Sequence, residues 1–358
     1  MTFREKLPSI LIYTITIVVL IGIILFIQPR RLMDYLFDLG IWGLIILCSF
    51  LFLLYVVDML IRIYRWQILL GIQGVKLPLK SLVLPVISAL TINLFTIARA
   101  GETIRMYALK RNHDTKYADT FSSIVIEQVL SIIGLLFVIT GSLLFVGNTL
   151  LQIENSKIIL QLVIIVLIGS VVSLIVLCLM MLKPEIFEMF IRIFPLVIEK
   201  RLQSAYQAFQ TGIDGLRKNP THLTLGIITS ASVWIIEGIM IYIIAITVFP
   251  ILTLIDFPWV IAASCAGNIT FIVPILPGAV GEYEVVLALV LMNSPNYPGQ
   301  DAALIAFIDR LAKSIMLASF GSYATLKLGG KEIIRLRRDT FSDSYNLGNS
   351  IHEKNIDI

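Results

Sequence analysis

Two stretches of the chain combine helix-breaking residues with charged side chains inside an otherwise apolar sequence. The first runs from Asn93 to Arg105 and the second from Asn268 to Glu284. Each starts at an asparagine, crosses an apolar run and a helix-breaking patch, and then reaches a Gly-Glu pair. A helix that restarts after a break begins with free backbone N–H groups and partial positive charge, and such an end can hold a phosphate or carboxylate. The pattern therefore predicts two anion-binding helix breaks.

The candidate substrate-binding residues are the polar, charged, glycine and proline positions of these two stretches. They are Asn93, Arg99, Gly101, Glu102, Arg105, Asn268, Pro277, Gly278, Gly281, Glu282 and Glu284. Gly101 and Gly281 allow a sharp turn and close approach of a headgroup, while Pro274 interrupts the second helix together with Pro277. Non-helical backbone inside a bilayer is tolerated only where it is packed in protein or lines a wet cavity. Two facing breaks therefore predict a polar cavity near the midplane.

Structural roles for the same residues remain open at this point. Glu102 and Glu282 can cap a helix start, where a carboxylate is favoured by the helix dipole. Asn93 and Asn268 can bond to backbone groups that the breaks set free. Each of these roles can coexist with headgroup binding.

Glu127, Glu237, Asp309 and Arg310 are ionisable residues that fall inside predicted membrane spans. An ionisable side chain at that depth costs at least about 2.5 kcal/mol on insertion scales, so each is a functional candidate. We expect them to carry charge for binding or for ion coupling. The alternative for Asp309 and Arg310 is a structural ion pair near the outer interface.

A further group of charged and aromatic residues follows the second apolar run. Arg62, Arg65 and Trp66 are predicted to mark the cytoplasmic interface, and their functional interpretation is capture of a lipid headgroup. Asp58 is expected to neutralise them.

The composition identifies the class of protein that positions these residues. Hydrophobic residues make up 58% of the 358 positions and charged residues 15%, against about 25% charged residues in a soluble domain. The excess is arranged in charge-free runs at 9–29, 39–57 and 158–182. Each is long enough to cross a bilayer as a helix, which takes roughly 20 residues. The first run is interpreted as a retained anchor and not as a signal peptide.

These runs predict an all-α polytopic membrane protein with about six full spans and two re-entrant broken-helix hairpins. The full spans are expected near 9–29, 39–61, 118–147, 158–182, 222–249 and 302–326, and the hairpins within 82–112 and 259–293. With both hairpins re-entrant, nearly all Lys and Arg residues fall on the side of the N-terminus, which makes both termini cytoplasmic. If 82–98 were an ordinary span, the topology after it would invert.

The two hairpins also indicate an internal repeat. Glu127-Gln128 follows the first break at a distance similar to that of Asp309-Arg310 after the second. We predict one domain over 1–330, in which repeats at about 39–147 and 222–326 are joined by an amphipathic cytoplasmic connector at about 183–221. Three full spans separate the hairpins, so the repeats are expected to be inverted. Residues 331–358 are expected to form a polar cytoplasmic tail.

The same residues resemble the lysylphosphatidylglycerol synthase transmembrane-region family, also called the flippase-like domain. The resemblance covers about residues 5–330 and rests on three blocks: Arg62-x-x-Arg65-Trp66, Arg99-Ala-Gly101-Glu102, and Pro277-Gly278-x-x-Gly281-x-x-Glu284. It implies a lipid-translocating membrane domain. We expect a stand-alone member without the soluble aminoacyl-transfer domain, because the sequence ends at Ile358. The chain departs from the family at Ala98, Gln128 and Ala279, where Pro, Arg and a second Gly are common.

Together these features predict an integral membrane lipid transporter in the cell membrane. It would move an anionic phospholipid or a polyprenyl-phosphate-linked lipid between leaflets by alternating access. The alternatives are a membrane glycosyl or lipid-group transferase with a polyprenyl-phosphate donor, and a non-transporting accessory subunit. We expect no enzymatic activity, cofactor, metal site or nucleic-acid partner. Expected partners are lipids with anionic headgroups, together with a second copy of the chain or enzymes of a glycolipid pathway.

Overall fold

The computed structural model describes residues 29–96, 99–150, 196–248, 256–271, 276–293 and 299–329, with single residues within 18–27 and at 168, 171 and 175. The predicted spans 9–29 and 158–182, the first part of the connector at 183–195, and the tail at 331–358 lie almost wholly outside these residues. Within them the chain is helical and contains no β-strand. The all-α prediction is therefore confirmed for this part of the chain.

Nine α-helices and one short 3₁₀ turn form the described part of the fold. The first four helices are α1 (Pro29–Ile72), α2 (Leu79–Asn93), α3 (Glu102–His113) and α4 (Tyr117–Leu150). The others are α5 (Leu196–Lys218), α6 (Pro220–Val248), α7 (Phe257–Ile269), α8 (Glu282–Leu291) and α9 (Gly299–Lys327), and the 3₁₀ turn is Pro277–Ala279. Helix α1 is kinked at Gly40, whose φ of 64° is accessible to a residue without a Cβ atom.

Three of these helices are long and apolar enough to cross a membrane. They are α1 from Leu32, α4 as far as Phe145, and α6 over its whole length. Their outer faces expose large apolar side chains such as Trp42 and Phe145, which are 76% and 80% exposed. Such a surface is stable against lipid and unfavourable against water.

Two predicted spans differ from the helices observed. The span predicted at 39–61 continues to Ile72, because the charged residues beyond position 61 bond to other helices and do not end α1. The span predicted at 302–326 forms one continuous helix, α9. Because it carries Asp309, Arg310 and Lys313, it is not among the three helices that are apolar enough to cross a membrane.

Both broken stretches are interrupted helices, as the sequence predicted. Helix α2 ends at Asn93 and α3 begins at Glu102, while α7 ends at Ile269 and α8 begins at Glu282. In each pair the two helices pack against each other and form a helical hairpin. We call residues 94–101 the first break and residues 270–281 the second break. Residues 97–98 and 272–275 of the breaks lie outside the described part.

The two hairpins pack in a reciprocal way. Helix α2 of the first hairpin packs on α9, and α7 of the second hairpin packs on α4. The breaks themselves touch, because the Gly278 N–H donates to the Thr96 carbonyl oxygen at 3.3 Å. Gly278 also lies so close to the Leu94 backbone that a Cβ atom would overlap it, and its φ is 61°. The contact between the breaks therefore depends on glycine at this position.

The amphipathic helix α5 packs beside α4 and the end of α1. The Gln73 side-chain amide donates to the Ala208 carbonyl oxygen at 3.0 Å and to the Ser122 hydroxyl at 2.7 Å. Gly212 lets α5 approach Gln73 and Ile126 closely. This packing fixes the C-terminal part of α1, which carries several residues of the site.

Candidate functional site

A cavity of about 180 Å³ lies where the two breaks meet. Its walls come from α1, α2, α3, α4, α6, α7, α8 and α9, together with both breaks. Among its lining residues, the cations are Arg62, Arg65, Arg99, Arg105, Arg310 and Lys313, and the carboxylates are Asp58, Glu102, Glu127 and Glu237. The lining therefore carries two more formal positive charges than negative ones.

One side of the cavity is formed by three arginines that share two glutamates. Glu127 of α4 accepts from Arg105 at 2.7 Å and from Arg65 at 3.0 Å. Glu102, at the start of α3, pairs with Arg105 at 3.1 Å and with Arg99 at 3.4 Å. We call these five residues the cationic cluster. Its formal charge is +1.

Neighbouring side chains orient the cationic cluster. The Arg105 guanidinium stacks on the Trp66 ring at 4.4 Å, and the Trp66 indole N–H donates to the Ser123 hydroxyl at 3.0 Å. Arg65 donates to the Ser230 hydroxyl at 2.8 Å. The Nε–H groups of Arg65 and Arg105 are buried and have no hydrogen-bond partner among the described residues. The cluster therefore has two donors without a partner among the described residues.

The other side is a chain of charges that crosses three helices. Arg62 of α1 bonds to Asp58 at 2.8 Å and to Glu237 of α6 at 2.8 Å. Lys313 of α9 bonds to the second oxygen of Glu237 and to Asp309 at 3.0 Å. We call these five residues the acidic chain. With three carboxylates and two cations, its formal charge is −1.

The second break satisfies its own backbone and contributes a neutral ion pair. Glu284 accepts from the Gly281 N–H at 2.7 Å, and Glu282 accepts from the Leu276 N–H. Arg310 lies 3.7 Å from Glu284 and donates to the Gly278 carbonyl oxygen. Glu284 therefore caps the start of α8, while Glu282 bonds to the backbone of the break, so the capping role left open for Glu282 stays a prediction.

The first break also uses its backbone donors, contrary to the prediction that these N–H groups are free. The Gly101 N–H donates to the Asn93 side-chain oxygen at 2.8 Å, and the Glu102 N–H donates to the Arg99 carbonyl oxygen at 3.1 Å. Arg99 itself adopts a φ of 56°, which lets the chain turn back into α3. Since these N–H groups are occupied, side chains and not the backbone must bind an anion here.

The predicted interfacial residues lie inside the protein. Trp66 is fully buried and Arg65 is 2% exposed, and Arg62 bonds to carboxylates on two helices. Buried carboxylates and a serine bond to the two arginines, so these side chains are not exposed on the protein surface. That they mark the cytoplasmic interface stays a prediction. Asp58 neutralises Arg62, as expected from the sequence.

The remaining predicted residues also surround the junction of the hairpins. Asn268 lines the cavity and donates to the Ser264 carbonyl oxygen one turn earlier at 2.9 Å. Asp309 and Arg310 do not pair with each other in the described contacts. Asp309 accepts from the Tyr283 hydroxyl at 2.6 Å and from Lys313, while Arg310 pairs with Glu284.

Three site residues did not emerge from the sequence as candidates. Lys313 lies four residues after Asp309 on α9, and this spacing is a signal for an intrahelical pair. Tyr55 lies three residues before Asp58 and lines the cavity. Gln128 accepts from Arg99 at 2.7 Å. The absence of an arginine at position 128 does not leave Glu127 unpaired, because arginines from α1 and α3 reach it.

The described residues contain no group of three or more His, Cys, Asp or Glu side chains that could hold a metal ion.

Comparison with known proteins identifies one family. The model of the lysylphosphatidylglycerol synthase TM region matches residues 12–321 of the 358. No significant match was found to a curated protein or to a solved structure.

Proposed function

We propose a function for this chain from one premise: it belongs to the family of the lysylphosphatidylglycerol synthase transmembrane region. The family is a membrane, lipid-related, flippase-like domain. We propose that this chain is a lipid transporter that moves an anionic phospholipid or a polyprenyl-phosphate-linked lipid between the two leaflets.

The observation that carries the proposal is the cationic cluster at the first break. Arg65 and Arg105 are 2% and 4% exposed and line the cavity, and the buried Nε–H of each has no partner among the described residues. Arg99 is more accessible, with 30% of its side chain exposed. Guanidinium groups bind phosphate through charge-assisted hydrogen bonds. An anionic headgroup would neutralise the cluster and use its free donors.

The proposed transport cycle uses the two hairpins as an inverted pair. The reciprocal packing of α2 on α9 and α7 on α4 supports this arrangement. Each hairpin rocks against helices that belong to the other repeat, so that the cavity opens to one leaflet at a time. The proposed topology is multi-pass with both termini cytoplasmic, which follows from the placement of Lys and Arg residues.

Reconstitution of the purified protein into liposomes tests the proposal. The movement of a fluorescent phosphatidylglycerol or polyprenyl phosphate between leaflets is measured from the fraction of the probe that a membrane-impermeant quencher reaches. We expect the protein to speed exchange of the anionic probe between leaflets, and Arg105→Gln to slow it at least about tenfold, which corresponds to loss of one charge-assisted hydrogen bond. Arg217→Gln is the matched control, because Arg217 is exposed on α5 and distant from the cavity.

The same assay separates the alternatives. Normal exchange by a folded Arg105→Gln variant would reject the cationic cluster as the binding site. A chemically altered lipid product would indicate a transferase. A folded protein that leaves every anionic probe in its original leaflet would contradict transport and favour an accessory role.

A further inference from the structure

Asp58 stands out among the buried carboxylates of the acidic chain. It is 1% exposed, and its Oδ2 atom accepts from the Arg62 Nε–H at 2.8 Å. Its Oδ1 atom is buried and has no hydrogen-bond partner among the described residues. One turn earlier on α1, the buried Tyr55 hydroxyl also lacks a partner within the described part of the chain. Both side chains line the cavity.

Within the acidic chain, three carboxylates share two cations. Arg62 on the same helix also serves Glu237 of α6, and Lys313 of α9 is shared between Glu237 and Asp309. Both oxygens of Glu237 are bonded to cations. An uncompensated charge is unfavourable at this depth, and a single added proton makes the chain neutral. The free oxygen of Asp58 is the place in the chain where a proton fits.

We propose that Asp58 is a proton-binding site through which lipid movement is coupled to a proton gradient. The inference rests on the proposed lipid transport and extends it. The step adds one proton to Oδ1 of the carboxylate and forms a carboxylic acid. Release of that proton on the other side of the membrane restores the carboxylate, and no other bond changes.

Arg62 provides the link between the proton and the lipid. It lies four residues after Asp58 and three before Arg65, so the three side chains share one face of α1. An anionic headgroup in the cationic cluster attracts Arg62 and weakens its bond to Asp58, which then accepts a proton. Since such coupling is reciprocal, a proton on Asp58 also favours lipid binding. One anionic lipid and one proton then cross together as a neutral pair.

Proteoliposomes with a pH difference across the membrane test the coupling. Fluorescent phosphatidylglycerol is allowed to reach its steady-state distribution, which does not depend on the transport rate. Wild-type protein is expected to enrich the probe in the leaflet on the alkaline side, by up to about tenfold for one pH unit with one proton per lipid. Asp58→Asn is expected to give an equal distribution however slowly it is reached. Asp214→Asn, a matched change at an exposed aspartate of α5, is expected to behave like wild type.

The outcomes distinguish the coupling from the transport that it rests on. If wild-type protein exchanges the probe but ignores the gradient, proton coupling is wrong and transport stands. If Asp58→Asn still enriches the probe on the alkaline side, the assignment to Asp58 is wrong. If wild-type protein exchanges no anionic lipid, both proposals fail together. Should Asp58→Asn not fold, Asp58→Glu decides the assignment. A repositioned carboxylate must shift the pH at which the exchange rate is half-maximal, and an unchanged pH profile of the rate contradicts the assignment.

Discussion

The two helix breaks meet in one cavity, but different forces hold them. The first break lies beside charged side chains from three helices. Among these charges, Glu127 binds both Arg65 and Arg105. The described part of the second break is shaped by positive φ angles at Gly278, Ala279 and Gly281, and by backbone N–H groups that donate to Glu282 and Glu284. Two hairpins of similar sequence can therefore divide the work. In the proposed function, the first supplies charges for an anion and the second forms a wall of the cavity.

The largest expected effect comes from removing the shared glutamate of the first break. Glu127→Ala leaves Arg65 and Arg105 buried without their common partner, and loss of one member of a buried ion pair costs about 3–5 kcal/mol. We expect a large fall in the thermal stability of the purified protein in detergent. Asp214→Ala, at a surface pair, serves as the control and is expected to change stability by less than about 0.5 kcal/mol. Equal stability of the two variants would contradict the role of the buried pairs.

A somewhat smaller effect is expected where the two breaks touch. Gly278→Ala places a Cβ atom against the Leu94 backbone at a φ of 61°, and strain and overlap together should cost about 2–4 kcal/mol. Gly141→Ala is the matched control, because a Cβ atom there meets open space and a helical alanine is favoured over glycine by up to about 1 kcal/mol. Thermal unfolding of both variants measures the difference. A Gly278→Ala protein as stable as wild type would show that the breaks do not need this contact.

The smallest effect is expected at the caps of the second break. Glu284→Ala removes the acceptor for the Gly281 N–H and a distant partner of Arg310, which should cost about 1–2 kcal/mol. The difference between the two breaks is supported if this loss of stability is clearly smaller than the loss caused by Glu127→Ala in the same thermal assay. If Glu284→Ala were the more damaging of the two, the second break would also depend on charge, and the division of work would be wrong.

The sequence predicted the breaks because their causes are local. Pro277, Gly278 and Gly281 disfavour continuous helix wherever they occur together, and the structure places a 3₁₀ turn and three positive φ angles there, at Gly278, Ala279 and Gly281. The free N–H groups were predicted wrongly at Gly101, because the Asn93 side chain folds back onto the break. The sequence itself had suggested that role for Asn93 as an alternative.

The sequence could not predict which charged residues pair across helices, because these pairs form only when the helices pack. Arg65 and Glu127 are far apart in the chain, and only the packing of α1 against α4 brings them within 3.0 Å. The same holds for Arg62 and Glu237, which join α1 to α6. Their charge inside an apolar sequence therefore identified these residues as unusual. Their pairing depended on the fold, and so did the opposite net charges of the cationic cluster and the acidic chain.

The most direct test is a structure of the protein with a short-chain phosphatidylglycerol bound. If the cationic cluster binds the headgroup, we expect density for the phosphate in the cavity, with its oxygens about 3 Å from the guanidinium nitrogens of Arg65, Arg99 or Arg105. A phosphate held instead at the start of α8 beside Gly281, or a lipid bound only on the outer apolar faces of α1 and α4, would contradict the assignment of the headgroup site to the first break.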